Sequence, residues 1–156
     1  ETAEHTIDLN RFGTIIAATD NDSYNALICT DFGPEFGRTN VFQLGRSDDD
    51  GENPNALPVT LGGRKLFRSG VSYAALESRS YSGWVFTQTR LTDEYGLEDY
   101  REDRAEGTEL LADLSKDNTI SFVTVSDRPK ANPGDMLLSY APAKSQARAI
   151  DSESPE

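Results

Sequence analysis

The chain has 156 residues, with 27 Asp and Glu against 15 Lys and Arg, a formal net charge of −12 and 36% apolar residues. That length fits one domain able to bury a core without staples. The charge opposes binding of the chain as a whole to nucleic acid or anionic lipid, and a single cysteine excludes an intrachain disulfide.

In chain order, residues 1–12 read as a polar arm carrying the only histidine, His5, residues 13–141 as a β-rich domain, and residues 142–156 as a polar acidic tail. Gly13 to Thr19 is rich in branched residues and predicts a strand. Asp20-Asn21-Asp22-Ser23 then reads as a turn, and the apolar run Tyr24 to Thr30 as the second arm of a hairpin, with Cys29 as a buried small hydrophobe. Asp31 to Arg38 is a Gly- and Pro-punctuated loop, and Asn40 to Gly45 alternates as a third strand in meander order. After a polar loop from Arg46 to Pro58, Val59 to Phe67 reads as a two-residue hairpin turning at Gly62-Gly63, with Leu61 facing Arg64 and Val59 facing Leu66.

Gly70 to Ser78 fits either a strand or a helical turn, whereas Ser82 to Leu91 alternates as a strand, with Trp84, Phe86 and Gln88 on one face. Leu97, Tyr100 and Arg104 fall at helical spacing, and Thr108 is placed to cap a short helix near residues 108–116 that carries Leu110, Leu111 and Leu114. Thr119 to Ser126 and Asp135 to Tyr140 read as the last strands, separated by a Pro-bearing turn. The expected fold is mainly β: a small single-domain barrel or sandwich of about seven or eight antiparallel strands with one short helix.

Charge is segregated along the sequence. Asp93 to Asp117 holds ten acids against Arg101, Arg104 and Lys116, while Pro58 to Thr92 holds five basic residues against Glu77 alone. Two candidate interaction surfaces follow: a basic-aromatic face of Arg64, Lys65, Arg68, Arg79, Tyr81, Trp84 and Arg90, and an acidic segment of Asp93, Glu94, Glu98, Asp99, Glu102 and Asp103.

Motifs for chemistry are scarce. Ser72 in Gly70-Val71-Ser72-Tyr73-Ala74 loosely resembles a nucleophile elbow, but the only histidine to serve as its base is His5. One His and one Cys cannot make a tetrahedral metal set. Asp48-Asp49-Asp50-Gly51-Glu52 starts like a calcium loop, yet the alignment puts Arg46 and Leu57 at ligand positions. Asp20-Asn21-Asp22 fits an ordinary solvated turn better than a weak cation site. No catalytic residue, metal or cofactor is assigned and no enzyme is expected, carboxylate chemistry being the one enzymatic option left.

The leading expectation is therefore a structural or interaction protein, a coat, decoration or assembly component that contacts copies of itself or another subunit. The alternative is an OB-like or SH3-like module that binds single-stranded nucleic acid or another ligand on its basic-aromatic face. The compartment stays open: no apolar stretch reaches the roughly 18 residues of a membrane span, no disulfide marks secretion, and a virion or other assembly is compatible. Arg outnumbering Lys with abundant acids fits a salt-adapted source or, equally, an Arg-favouring genome.

Overall fold

The computed structural model describes residues 11–45, 61–128 and 130–143. Its parts run β1 (Ile15–Ala17), α1 (Asp22–Phe36), β2 (Val41–Gln43), β3 (Arg64–Lys65), α2 (Tyr73–Tyr81), β4 (Val85–Arg90), α3 (Leu97–Asp103), β5 (Glu109–Leu114), β6 (Ile120–Phe122) and β7 (Met136–Ala141). A three-stranded parallel sheet, β1-β2-β3, lies beside a four-stranded antiparallel sheet, β4-β7-β5-β6. The expected barrel or sandwich of antiparallel strands is thus wrong: the fold is mixed α/β with three α-helices and no closed barrel among the described residues. The expected polar arm and tail lie mostly outside those residues, as do the loop from Arg46 to Pro58 and Val59.

The first error concerns α1. The turn cluster is a helix start: Asn21 Oδ1 accepts from the Tyr24 amide at 3.0 Å and caps α1. Asn25, fully buried one turn later, ties the helix to the end of β1, its amide oxygen accepting from Thr19 N (3.0 Å) and Thr19 Oγ1 (2.7 Å) and its Nδ2 donating to Thr19 O (3.0 Å). Ala26, Cys29 and Gly33 make a small-residue face that lets α1 lie close on the sheet, where Cys29 Sγ donates to Phe42 O at 3.3 Å. Tyr24 and Leu27 on its exposed side are apolar as well, so the helical period is hidden in the sequence.

With a helix joining them, β1 and β2 run parallel, as a crossover requires. Among the described residues Gly62-Gly63 does not turn a hairpin either: the segment after it pairs with β2 in parallel on one side and bonds to residues 123–125 on the other, while Val59 lies outside those residues. The glycines serve close approach instead: a Cβ on Gly63 would sit 2.8 Å from Cys29 Sγ and 2.9 Å from Val41 O, and the Gly63 amide donates to Gln43 Oε1 at 2.8 Å.

The third correction is residues 108–116, which form the central strand β5 where a helix was expected. Flanked by β7 and β6, β5 is buried on both faces, and a register shift between Leu110 and Ala112 breaks the two-residue alternation. The two sheets meet where Leu66 bridges Thr124, fixed by Phe67 N to Val123 O (2.8 Å) and Val125 N to Lys65 O (3.0 Å). Phe42, Leu44, Leu66, Phe67, Val71, Leu111 and Tyr140 fill one side of this seam. On the other, α3 seals Leu91 and Leu137 with Tyr100, whose hydroxyl shares a buried hydrogen bond with Ser139 Oγ at 2.5 Å.

Replacing Asn25 by Ala leaves the half-buried Thr19 N–H and carbonyl without their Asn25 partners and is expected to cost about 1–3 kcal/mol. Urea unfolding monitored by circular dichroism measures it, and an unchanged midpoint would contradict the role given to Asn25.

Candidate functional site

Glu109 opens β5 with its side chain 1% exposed, and a carboxylate so buried must be matched by positive charge. Arg68 supplies a forked contact, Nε to Oε2 at 2.9 Å and Nη2 to Oε2 at 2.8 Å, and Arg79 on α2 adds Nη1 to Oε2 at 3.4 Å. Hydrogen bonding to Glu109 raises the already high pKa of Arg68. Arg79 also lies 4.8 Å over the ring of Trp84, which packs on Tyr140 at 5.4 Å, so Trp84 is a strut of this clamp.

Of the basic-aromatic residues, then, Arg68, Arg79 and Trp84 form one cluster, while Arg64 lies apart, paired with Asp127 and 5.3 Å over Phe42. Lys65 and Arg90 are exposed on β3 and at the end of β4, and Tyr81 stands 85% exposed just before β4. Asp93, Glu94, Glu98, Asp99, Glu102 and Asp103 are all exposed, on the turn after β4 and on α3; Asp99 accepts from Gly96 N at 2.7 Å and caps α3, and Glu98 pairs with Arg101. The structure therefore spreads the acidic segment over the surface but spends most of the guanidinium groups internally.

What reasoning from sequence missed is the open edge. β4 pairs with β7 on one side and with no described strand on the other. Val85 is 45% and Phe86 70% exposed, Phe86 resting on Tyr140 with ring centroids 4.9 Å apart. The strand Val85-Phe86-Thr87-Gln88-Thr89-Arg90 has no proline, no bulge and a charge only at its end, so it lacks the usual guards against strand addition. Its β-formers were legible; its place at the edge was not.

A second feature is a cleft of about 440 Å³ at the junction of β2 and β3 with β5 and β6, lined in part by Phe42, Arg64, Asp113, Asp127, Arg128 and Lys130. Asp113 is buried and its Oδ1 has no hydrogen-bond partner. Burial and the nearby Asp135 raise its pKa above the ordinary 3.8. This corrects the expectation of no enzyme, which rested on the shortage of His and Cys: a buried carboxyl with raised proton affinity is the type of group that acid–base chemistry uses. The candidate nucleophile Ser72 is the N-cap of α2, accepting from Ala75 N at 3.2 Å. Asp48 to Glu52 and His5 lie outside the described residues. Among the described residues no cluster of three metal-ligating side chains occurs and no helix is long and apolar enough to cross a membrane.

No protein-family model and no curated protein matches the chain. A solved structure titled "Crystal Structure of the GsuK RCK domain" is similar at 17% identity with a TM-score of 0.32, over 93% of this chain and 33% of that one, so the chain spans about a third of that protein's length.

Exchanging Arg68 and Arg79 together for Ala leaves the Glu109 carboxylate buried and unpaired, and should cost about 3–5 kcal/mol; adding Glu109→Gln to that pair should recover part of it in urea titrations. For Asp113, a folded-state pKa above the unfolded one means the folded chain binds the extra proton, so this group's contribution is fully present at acid pH and declines as pH climbs from the ordinary value to the raised one. Asp113→Asn should accordingly stabilise the protein near pH 7 more than near pH 4. Equal effects at both pH values would contradict the shift.

Proposed function

We propose that the chain is an interaction module that joins copies of itself into a larger assembly, as a coat, decoration or other assembly component, through the open edge of β4. The observation that carries this reading is the outer side of β4, unpaired among the described strands, with Tyr81, Val85 and Phe86 exposed. Backbone groups along such an edge favour pairing with another strand, and exposed aromatics supply the anchors that dominate contact energies.

Two copies of β4 related by a two-fold axis midway along the strand would pair antiparallel. Arg90 of each copy then stands opposite Val85 of the other, so no like charges face each other. At a net charge of −12 the copies repel over longer range, so this association strengthens as salt screens them. The acidic segment sets that salt dependence, whereas the clamped guanidinium groups contribute rigidity behind the edge.

Sedimentation velocity over a protein and salt series tests the reading. Association is expected to grow with both, and Phe86→Lys should weaken it by about 2 kcal/mol, roughly 30-fold in Kd. A strict monomer at every salt and concentration, or an assembly indifferent to Phe86→Lys, would refute it.

A further inference from the structure

At the opposite end of the sheet order lies β1, which pairs only with β2 among the described strands. Parallel sheets are normally covered on both faces and continued by further strand–helix units. Here α1 packs on β1 and β2 with Ile15, Ala17, Ile28, Cys29, Phe36 and Val41 between them. Which flank of α1 faces outward can be read from its contacts. Thr30 Oγ1 accepts from Gly62 N at 3.0 Å, and a Cβ on Gly62 would lie 3.6 Å from Ala26 Cβ, so Ala26 and Thr30 face the β3 side. At about 100° per residue, Leu27, Asp31 and Tyr24 then lie roughly 140–160° from the sheet-facing Cys29 and point away from the sheet, with Ile28 and Glu35 turned toward the free side of β1.

That outward side is unlike an ordinary solvated helix face. Tyr24 and Leu27 are 51% and 55% exposed. Asp20, Asp31 and Glu35 are exposed around them and none is ion-paired among the described residues. We infer that this surface is a second docking site, distinct from β4, whose occupant is a basic amphipathic helix of another polypeptide lying alongside α1.

The charge pattern selects that occupant. Exposed apolar positions at Tyr24 and Leu27 receive an apolar stripe, while Asp31 and Glu35, one turn apart, receive Lys or Arg at its border. A second copy fits poorly, because an antiparallel pair of α1 helices would bring Asp31 and Glu35 toward the partner's Asp20. The chain's own segments outside the described residues are short: 1–10 and 144–156 are polar and acid-bearing, and 46–60 carries the Asp48-Asp49-Asp50 run.

The test uses fluorescence anisotropy of a dye-labelled peptide of about 15 residues, Leu and Lys placed at helical spacing, titrated with the full chain at moderate salt. Saturable binding is expected, weakened about tenfold or more by Leu27→Ser with Tyr24→Ser, and made less salt-sensitive by Asp31→Asn with Glu35→Gln. Phe86→Lys should leave it unchanged, which separates this site from the β4 edge. Neutralising Asp93, Glu94, Glu98 and Glu102 should also leave it unchanged. Absence of binding, a loss caused equally by the distant neutralisations, or a dimer of the chain that buries α1 would each overturn the inference.

Discussion

The rest of the arrangement hangs on one buried charge. Glu109 opens the central strand, where both faces are covered and water is excluded, so its carboxylate obliges Arg68 and Arg79 to converge on it. Those two residues come from the chain just after β3 and from α2. Closing on one carboxylate, they fasten the parallel sheet's last strand and the helix that follows it to the antiparallel sheet. Arg79 then holds Trp84 in place at the entry to β4. A polar group inside the core thereby specifies how two sheets of opposite strand sense meet.

That fastening has a consequence at the periphery. With its entry fixed by Trp84 and its inner side zipped to β7 over six residue pairs, β4 cannot fold back over its own exposed side. The outer row of backbone groups is left facing outward beside Tyr81 and Phe86. At the other end β1 likewise pairs on one side only among the described strands, and there the exposed face of the neighbouring helix is acidic as well as apolar. The two sheets accordingly leave two unlike edges, one nearly uncharged beside Phe86, the other next to a helix that exposes Tyr24, Leu27, Asp31 and Glu35. On the function proposed above, two edges of different chemistry would keep one contact from competing with the other.

Several strands were legible because their residues alternate. β4 and β6 lie within the segments read around Val85 and Phe122, β7 runs one residue past the segment read from Asp135 to Tyr140, and β1 and β2 lie within those read from the branched residues around Ile15 and Val41. Strand sense was not legible, since it depends on what joins the strands. Asp20-Asn21-Asp22-Ser23 has the composition of both a turn and a helix cap, and only Asn25 reaching back to Thr19 decides between them. For β5, Glu109 and Asp113 imitate the polar face of a helix because their burial is compensated or tolerated by distant residues, Arg68 and Arg79 in the first case. The charged surfaces divided in the same way: the acids from Asp93 to Asp103 are exposed as their composition implies, whereas the cations read as a face are mostly held by Glu109 and Asp127.

Amide hydrogen exchange read residue by residue along β4, at protein concentrations below and above the onset of association, tests the central claim most directly. The account predicts that the outward-facing amides between Val85 and Arg90 exchange freely in the dilute chain and become protected on association, while those of β7 stay protected throughout. Protection of the whole of β4 at every concentration, or association that leaves its exchange unchanged, would contradict it.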